Sequence, residues 1–135
     1  MKITDVQAII VKQPEISIIG DGSQDTVVIK VFTDEGIVGI GEVDSSPYVV
    51  KAIVEAKTSH MVCMGLRDVV IGEDPFDVEK IWYKMYELCY YYGRRSVAIH
   101  AMSGIDMAIW DIMGKKLGMP VHKLLGGSFR DKIPA

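Results

Sequence analysis

Three charged side chains, Asp106, Asp111 and Lys115, fall in an otherwise apolar stretch between Val97 and Leu117. A carboxylate in apolar surroundings is a candidate general acid or base, because burial raises its pKa toward the working range. On a helix Asp111 and Lys115 are i,i+4 partners, and Asp106 lies about 140° around the wheel from Asp111. That pairing favours structural roles for Asp111 and Lys115, and a paired or capping role is expected for Asp106 too. Glu42 ends an apolar run beside a loop, where a local hydrogen bond is expected in place of general-base chemistry. Arg94 and Arg95 are adjacent guanidinium groups that can bind an anionic substrate or a carboxylate from another segment. The alternative for them is a solvated pair at a helix start.

No catalytic set accompanies these residues. His60, His100 and His122 are scattered with no HxxxH, and Cys63 and Cys89 form no CxxC, so no metal ligands are expected in this chain. There is no GxSxG elbow and no phosphate-cradling GxxxxGK[ST] loop. Gly36 to Gly41 reads GxxGxG, which is not the dinucleotide order, and it lies in a hairpin instead of opening a helix. By its motifs alone, the chain has no self-sufficient active site.

The elements that would position these groups follow from periodicity. Residues 3–12 and 26–33 are rich in β-branched side chains and read as strands; residues 37–43 return as the second arm of a hairpin turned at Asp34-Glu35-Gly36. Gly39 and Gly41 share one strand face, which predicts a close backbone approach there. Residues 13–25 form a long loop whose middle, Ile16 to Ile19, is apolar. These side chains either fold back on the core or belong to a lid. A second loop, Asp44 to Pro47, offers Ser46 as N-cap and Pro47 as first helical residue of a helix over 47–60. Residues 62–73 read as irregular or a short helix. Asp74-Pro75 predicts another helix through residue 92, carrying a stripe of Tyr83, Tyr86 and Tyr90. Gly93 breaks it, and a long helix runs to about Leu117, closed by Gly118 and Pro120. This last helix is apolar nearly all round, so it is expected to be buried on several sides.

The 135 residues are 49% hydrophobic and 24% charged with a net charge of −3, which describes a globular chain and argues against a nucleic-acid partner. No apolar run reaches the roughly 18–20 residues of a membrane helix. The N-terminus lacks the apolar core of a signal peptide. Two cysteines without a framework read as reduced thiols, and the protein reads as cytoplasmic.

Four segments carry a family resemblance. Thr33 to Glu42 (TDEGIVGIGE) resembles a hairpin of the mandelate racemase/muconate lactonizing group of the enolase superfamily. Ile71 to Pro75 (IGEDP) is similar to that group's helix start. Ala101 to Lys115 (AMSGIDMAIWDIMGK), continuing through Leu117 to Val121 and Leu124 to Gly127 (LLGG), is the most specific match. Tyr91 to Arg95 (YYGRR) is similar to members that dehydrate acid sugars.

The resemblance implies an α+β fold: a three-stranded antiparallel sheet followed by a helical bundle, capping a (β/α) barrel that lies beyond this chain. Residues 1–127 would be the capping domain and 128–135 a linker toward the barrel. It implies Mg²⁺-assisted removal of a proton next to a carboxylate, with the metal ligands and bases on the barrel and none in this chain. It implies a small carboxylate substrate, a homo-oligomer in the full-length enzyme and no nucleic-acid or membrane partner. Dehydration of an acid sugar is the leading expectation; racemase, epimerase or cycloisomerase chemistry is the alternative. The residues implied to cap the substrate are Ile16, Ile18, Ile19, Gly20, Asp21 and Gly22 in the first loop, with Asp44, Ser45, Ser46 and Tyr48 in the second. A different class of reading is a free-standing interaction module with the same fold.

Overall fold

The computed structural model describes residues 1–18, 24–130 and 132. In chain order its elements are β1 (Ile3–Lys12), β2 (Asp25–Thr33), β3 (Val38–Val43), α1 (Pro47–Glu55), α2 (Leu66–Val70), α3 (Val78–Leu88), a single 3₁₀ turn at Tyr90–Tyr92, α4 (Val97–Leu117) and α5 (Val121–Leu124). The strands form one antiparallel sheet in the order β1-β2-β3. Alternation sets its faces. Val27, Ile29 and Val31 of β2 point inward with Val6 and Ala8 of β1 and Val43 of β3, and all are buried. Helices cover this face.

The central contact is α4 on β3, and glycine makes it possible. A methyl group at Gly41 would stand 2.0 Å from the carbonyl oxygen of Gly104, and one at Gly39 would stand 2.0 Å from that of Ala108. The helix backbone therefore lies directly on the strand backbone, which only a side-chain-free strand face permits. Because Gly41 meets Gly104 and Gly39 meets Ala108, α4 runs antiparallel to β3. Ala101, Met102, Ile105, Ala108, Ile109 and Ile112 are all buried, so α4 is covered on more than one side as its composition requires. It ends at Gly118, whose φ of 64° is left-handed and whose N–H bonds back to the last turn.

Both outer edges of the sheet are clamped by a helix. Lys51 and Glu55 of α1 reach β1, where Lys51 Nζ donates to Ala8 O (2.7 Å) and Ala8 N donates to Glu55 Oε1 (3.3 Å). Asp111 and Lys115 of α4 do the same on β3: Ile40 N donates to Asp111 Oδ2 (2.8 Å) and Lys115 Nζ donates to Val38 O (2.7 Å). Each pair is also an i,i+4 ion pair. Edge backbone groups that could recruit another strand are thereby satisfied.

Three boundaries differ from the sequence reading. The helix begun at Pro47 stops at Glu55, because Asp68 of α2 captures both the N–H and the hydroxyl of Thr58 and holds the chain extended. Ser46 occupies the N-cap position, but its side chain makes no capping bond. The helix expected from Asp74-Pro75 begins at Val78, because the Asp74 carboxylate accepts from Phe76 N (3.0 Å) and makes a turn first. That helix ends at Leu88, and the following tyrosines form the separate 3₁₀ turn.

Candidate functional site

In an antiparallel sheet the end of β1, the start of β2 and the end of β3 lie at one end, so the loops after β1 and β3 emerge together. The first loop is tied at its base. Gln13 N donates to Gln24 O (2.9 Å), and the Gln24 side chain both accepts from Ser17 N (2.7 Å) and donates to Ser17 O (3.2 Å). Ile16 is 48% exposed and Ile18 fully so. Of the two alternatives for this apolar segment, folding back on the core is therefore excluded for these two residues. Ile19, Gly20, Asp21 and Gly22 lie outside the described residues. In the second loop Asp44 and Ser46 are exposed, Ser45 is half-buried, and Tyr48 is 64% exposed at the first turn of α1.

Glu42, just before the second loop, accepts a hydrogen bond from Thr26 Oγ1 (2.9 Å) and ties β3 to β2 across the outer face of the sheet. Since α4 runs antiparallel to β3, its N-terminus points toward this loop end. The entry to α4 is sharply turned. Gly93 has φ 94°, and Ser96 has φ 56° with ψ −131°, a conformation that L-residues adopt at a cost. The two arginines before it part company. Arg94 Nε donates to Tyr86 O (3.1 Å), and its guanidinium lies 4.6 Å from the ring centroids of both Tyr86 and Tyr90. Such stacking satisfies the cation within the fold. Arg95 is exposed.

The helix carboxylates lie elsewhere. Asp111 and Lys115 clamp the edge of β3. Asp106 stands on the flank of α4 that faces α3, where burial, and then the neighbouring Glu79 carboxylate, push its pKa above the ordinary value while a hydrogen bond from Trp110 opposes the shift. The sequence-predicted residues thus divide into two groups. The described loop residues and Arg95 belong to one end of the molecule, and Asp106, Asp111 and Lys115 to its flank. The Lys51–Glu55 clamp was readable only as a solvated helix face, although its i,i+4 spacing matches that of Asp111 and Lys115. The Trp110 surroundings carried no sequence signal, because a tryptophan in an apolar helix reads as core.

Among the described residues no three His, Cys, Asp or Glu side chains come together as a metal site, so these residues do not fit Mg²⁺. Burial and a hydrogen bond from the Cys63 thiol push Tyr92 up to about 12, which leaves it a neutral structural phenol. No helix among the described residues is long and apolar enough to cross a membrane.

Comparison with known proteins supplies the rest. The family model for the mandelate racemase/muconate lactonizing enzyme N-terminal domain matches residues 2–126. D-galactonate dehydratase of Pectobacterium atrosepticum is 43% identical over 109 residues, which is 79% of this chain and 26% of that protein. D-galactonate dehydratase of Klebsiella pneumoniae is 44% identical over 109 residues, again 79% of this chain and 26% of the relative. The crystal structure of the 3,6-anhydro-D-galactonate cycloisomerase from Zobellia galactanivorans superposes with a TM-score of 0.79 at 26% identity, covering 96% of this chain and 33% of that one. This chain therefore spans 26% of the length of these two dehydratases.

Proposed function

We infer the function from one premise: the chain belongs to the mandelate racemase/muconate lactonizing enzyme N-terminal domain family. Acid-sugar dehydratases are among its relatives. We read the chain as the substrate-capping domain of an enzyme that removes the proton next to a carboxylate and then eliminates a hydroxyl from an acid sugar. The observation that carries this reading is the pair of loops at one end of the sheet, with Ile16, Ile18 and Tyr48 projecting away from the core.

Apolar side chains held out from a rigid sheet are suited to closing over a reaction site. They exclude water and contact the parts of the substrate that distinguish one acid from another. The Gln24 clamp fixes the base of the first loop, so its apolar residues emerge in a defined direction. Arg95 adds a cation toward the same end, suited to an anionic substrate or to a carboxylate on the following domain. Where such an enzyme binds Mg²⁺, the ion would supply stabilisation of negative charge at the substrate carboxylate, and the residues holding it would belong to the domain that follows this one in the longer relatives. Racemase, epimerase or cycloisomerase chemistry ranks second. The cycloisomerase likeness favours it, at lower identity than the dehydratases.

The purified 135-residue chain should show no Mg²⁺-dependent dehydration of aldonic acids. Turnover by this chain alone, followed as 2-keto acid release, would overturn the capping reading.

A further inference from the structure

The outward side of α3 carries an exposed stripe at Lys80, Tyr83 and Glu87, continued by Tyr90 in the 3₁₀ turn. Spacings of three, four and three put these residues on one line, the seam along which a second helix packs. Within the chain α2 and α4 lie against other sides of α3, so Tyr83 and Tyr90 keep 63% and 56% of their surface in water. Two phenol rings so placed offer a large contact area that tolerates water on one side and burial on the other. The ion pairs of α3 join Lys80 and Lys84 to Glu73 and Asp77, and among the described residues none reaches Glu87. Lys80 meets Glu73 at 2.7 Å, yet its side chain stays 61% exposed. An ammonium has three donors and can meet a further carboxylate.

We propose that this stripe is an interface between two copies of this chain, with α3 packed antiparallel against its partner's α3 about a two-fold axis. The symmetry of the stripe selects a second copy as the occupant. Lys80 and Glu87 stand equally far from a midpoint between Tyr83 and Lys84. Turning the helix end for end therefore brings Lys80 opposite the partner's Glu87, and Glu87 opposite the partner's Lys80. The same operation sets the two Tyr83 rings together at the axis. It also sets Tyr90 opposite the partner's Asp77, an exposed carboxylate that can accept from the phenol. A two-fold contact needs such self-complementarity, whereas an unrelated partner has no use for opposite charges spaced evenly about a midpoint. Lys84, next to the axis, is held by Glu73 at 2.7 Å and so does not oppose the contact. This interface does not depend on the capping role.

Sedimentation equilibrium of the 135-residue chain, from roughly 1 µM to 1 mM, tests this. The chain should form a dimer. Glu87→Lys should raise the dissociation constant roughly tenfold or more, because two like-charge pairs replace two opposite ones. Lys80→Glu should do the same. Circular dichroism should show both variants folded, since both side chains are exposed. Mixed in equal amounts, the two weakened variants should pair again, because each copy then faces charges opposite to its own. Where Lys80→Glu unfolds for want of its bond to Glu73, Tyr83→Arg carries the test: like charges then meet at the axis, and the dimer should be lost. A chain that stays monomeric throughout the series overturns the proposal. So does a dimer that neither Glu87→Lys nor Tyr83→Arg weakens, since another face would then hold it. A mixture of folded Glu87→Lys and Lys80→Glu chains that associates no better than either alone overturns it as well.

Discussion

Ser96 shows how a single residue can report on the site. Its φ of 56° with ψ −131° is a glycine conformation held by a side chain that gains no hydrogen bond from the capping position. Ser96→Gly should therefore stabilise the chain by roughly 1 kcal/mol, measured by urea denaturation; loss of stability would mean the turn is not strained. Glu73 gives a pH handle. Lys80 and Lys84 both donate to it at 2.7 Å and hold its carboxyl below the ordinary 4.5. A lowered folded-state pKa adds stability above about pH 4.5, and that contribution is lost as pH falls through the folded value. Glu73→Gln should cost about 1 kcal/mol at pH 7 and distinctly less at pH 3, read from unfolding curves at both. At this scale the sequence was partly legible. Asp111 with Lys115 could be paired from spacing, whereas the stacking of Arg94 between Tyr86 and Tyr90 depends on how the chain turns at Gly93, which spacing does not encode.

The elements were legible where local pattern and tertiary packing agree. Alternating β-branched residues placed the strands, and paired glycines on β3 announced the backbone that lies against them. Gly41→Ala tests that contact directly: a methyl 2.0 Å from Gly104 O forces α4 off the strand, at a cost of roughly 3 kcal/mol or more. An unchanged midpoint would mean that α4 does not lie on β3 as described. Boundaries failed where a side-chain hydrogen bond to the backbone decided them. Asp68 ends α1 through Thr58, and the Asp74 carboxylate delays α3 by binding its own neighbour's N–H. Neither interaction is visible in helix propensity. The twin edge clamps belong here as well. Two helices that cover one sheet face each send a lysine–carboxylate pair over the nearest edge, where they occupy backbone groups of Ala8 on β1 and of Val38 and Ile40 on β3.

On the scale of the whole molecule, the fold is a rigid sheet-and-helix body with its loops gathered at one end and an apolar groove open on the flank of α4. The sequence carried the first through the apolar run at Ile16 to Ile19. Which flank of α4 stays open was not legible, because a helix apolar nearly all round does not say which side its neighbours leave uncovered. On the capping reading, this domain selects the acid while the domain that follows it in the longer relatives transforms it. The most direct measurement is kcat/KM across a panel of aldonic acids for a hybrid in which residues 1–127 replace the matched region of the Pectobacterium atrosepticum dehydratase, with and without Ile16→Ser and Ile18→Ser. Both side chains are exposed, so the unfolding midpoint should barely move, while the preference among acids should change by roughly tenfold or more. An unchanged order of preference, with unchanged kcat/KM for each acid, would contradict the account.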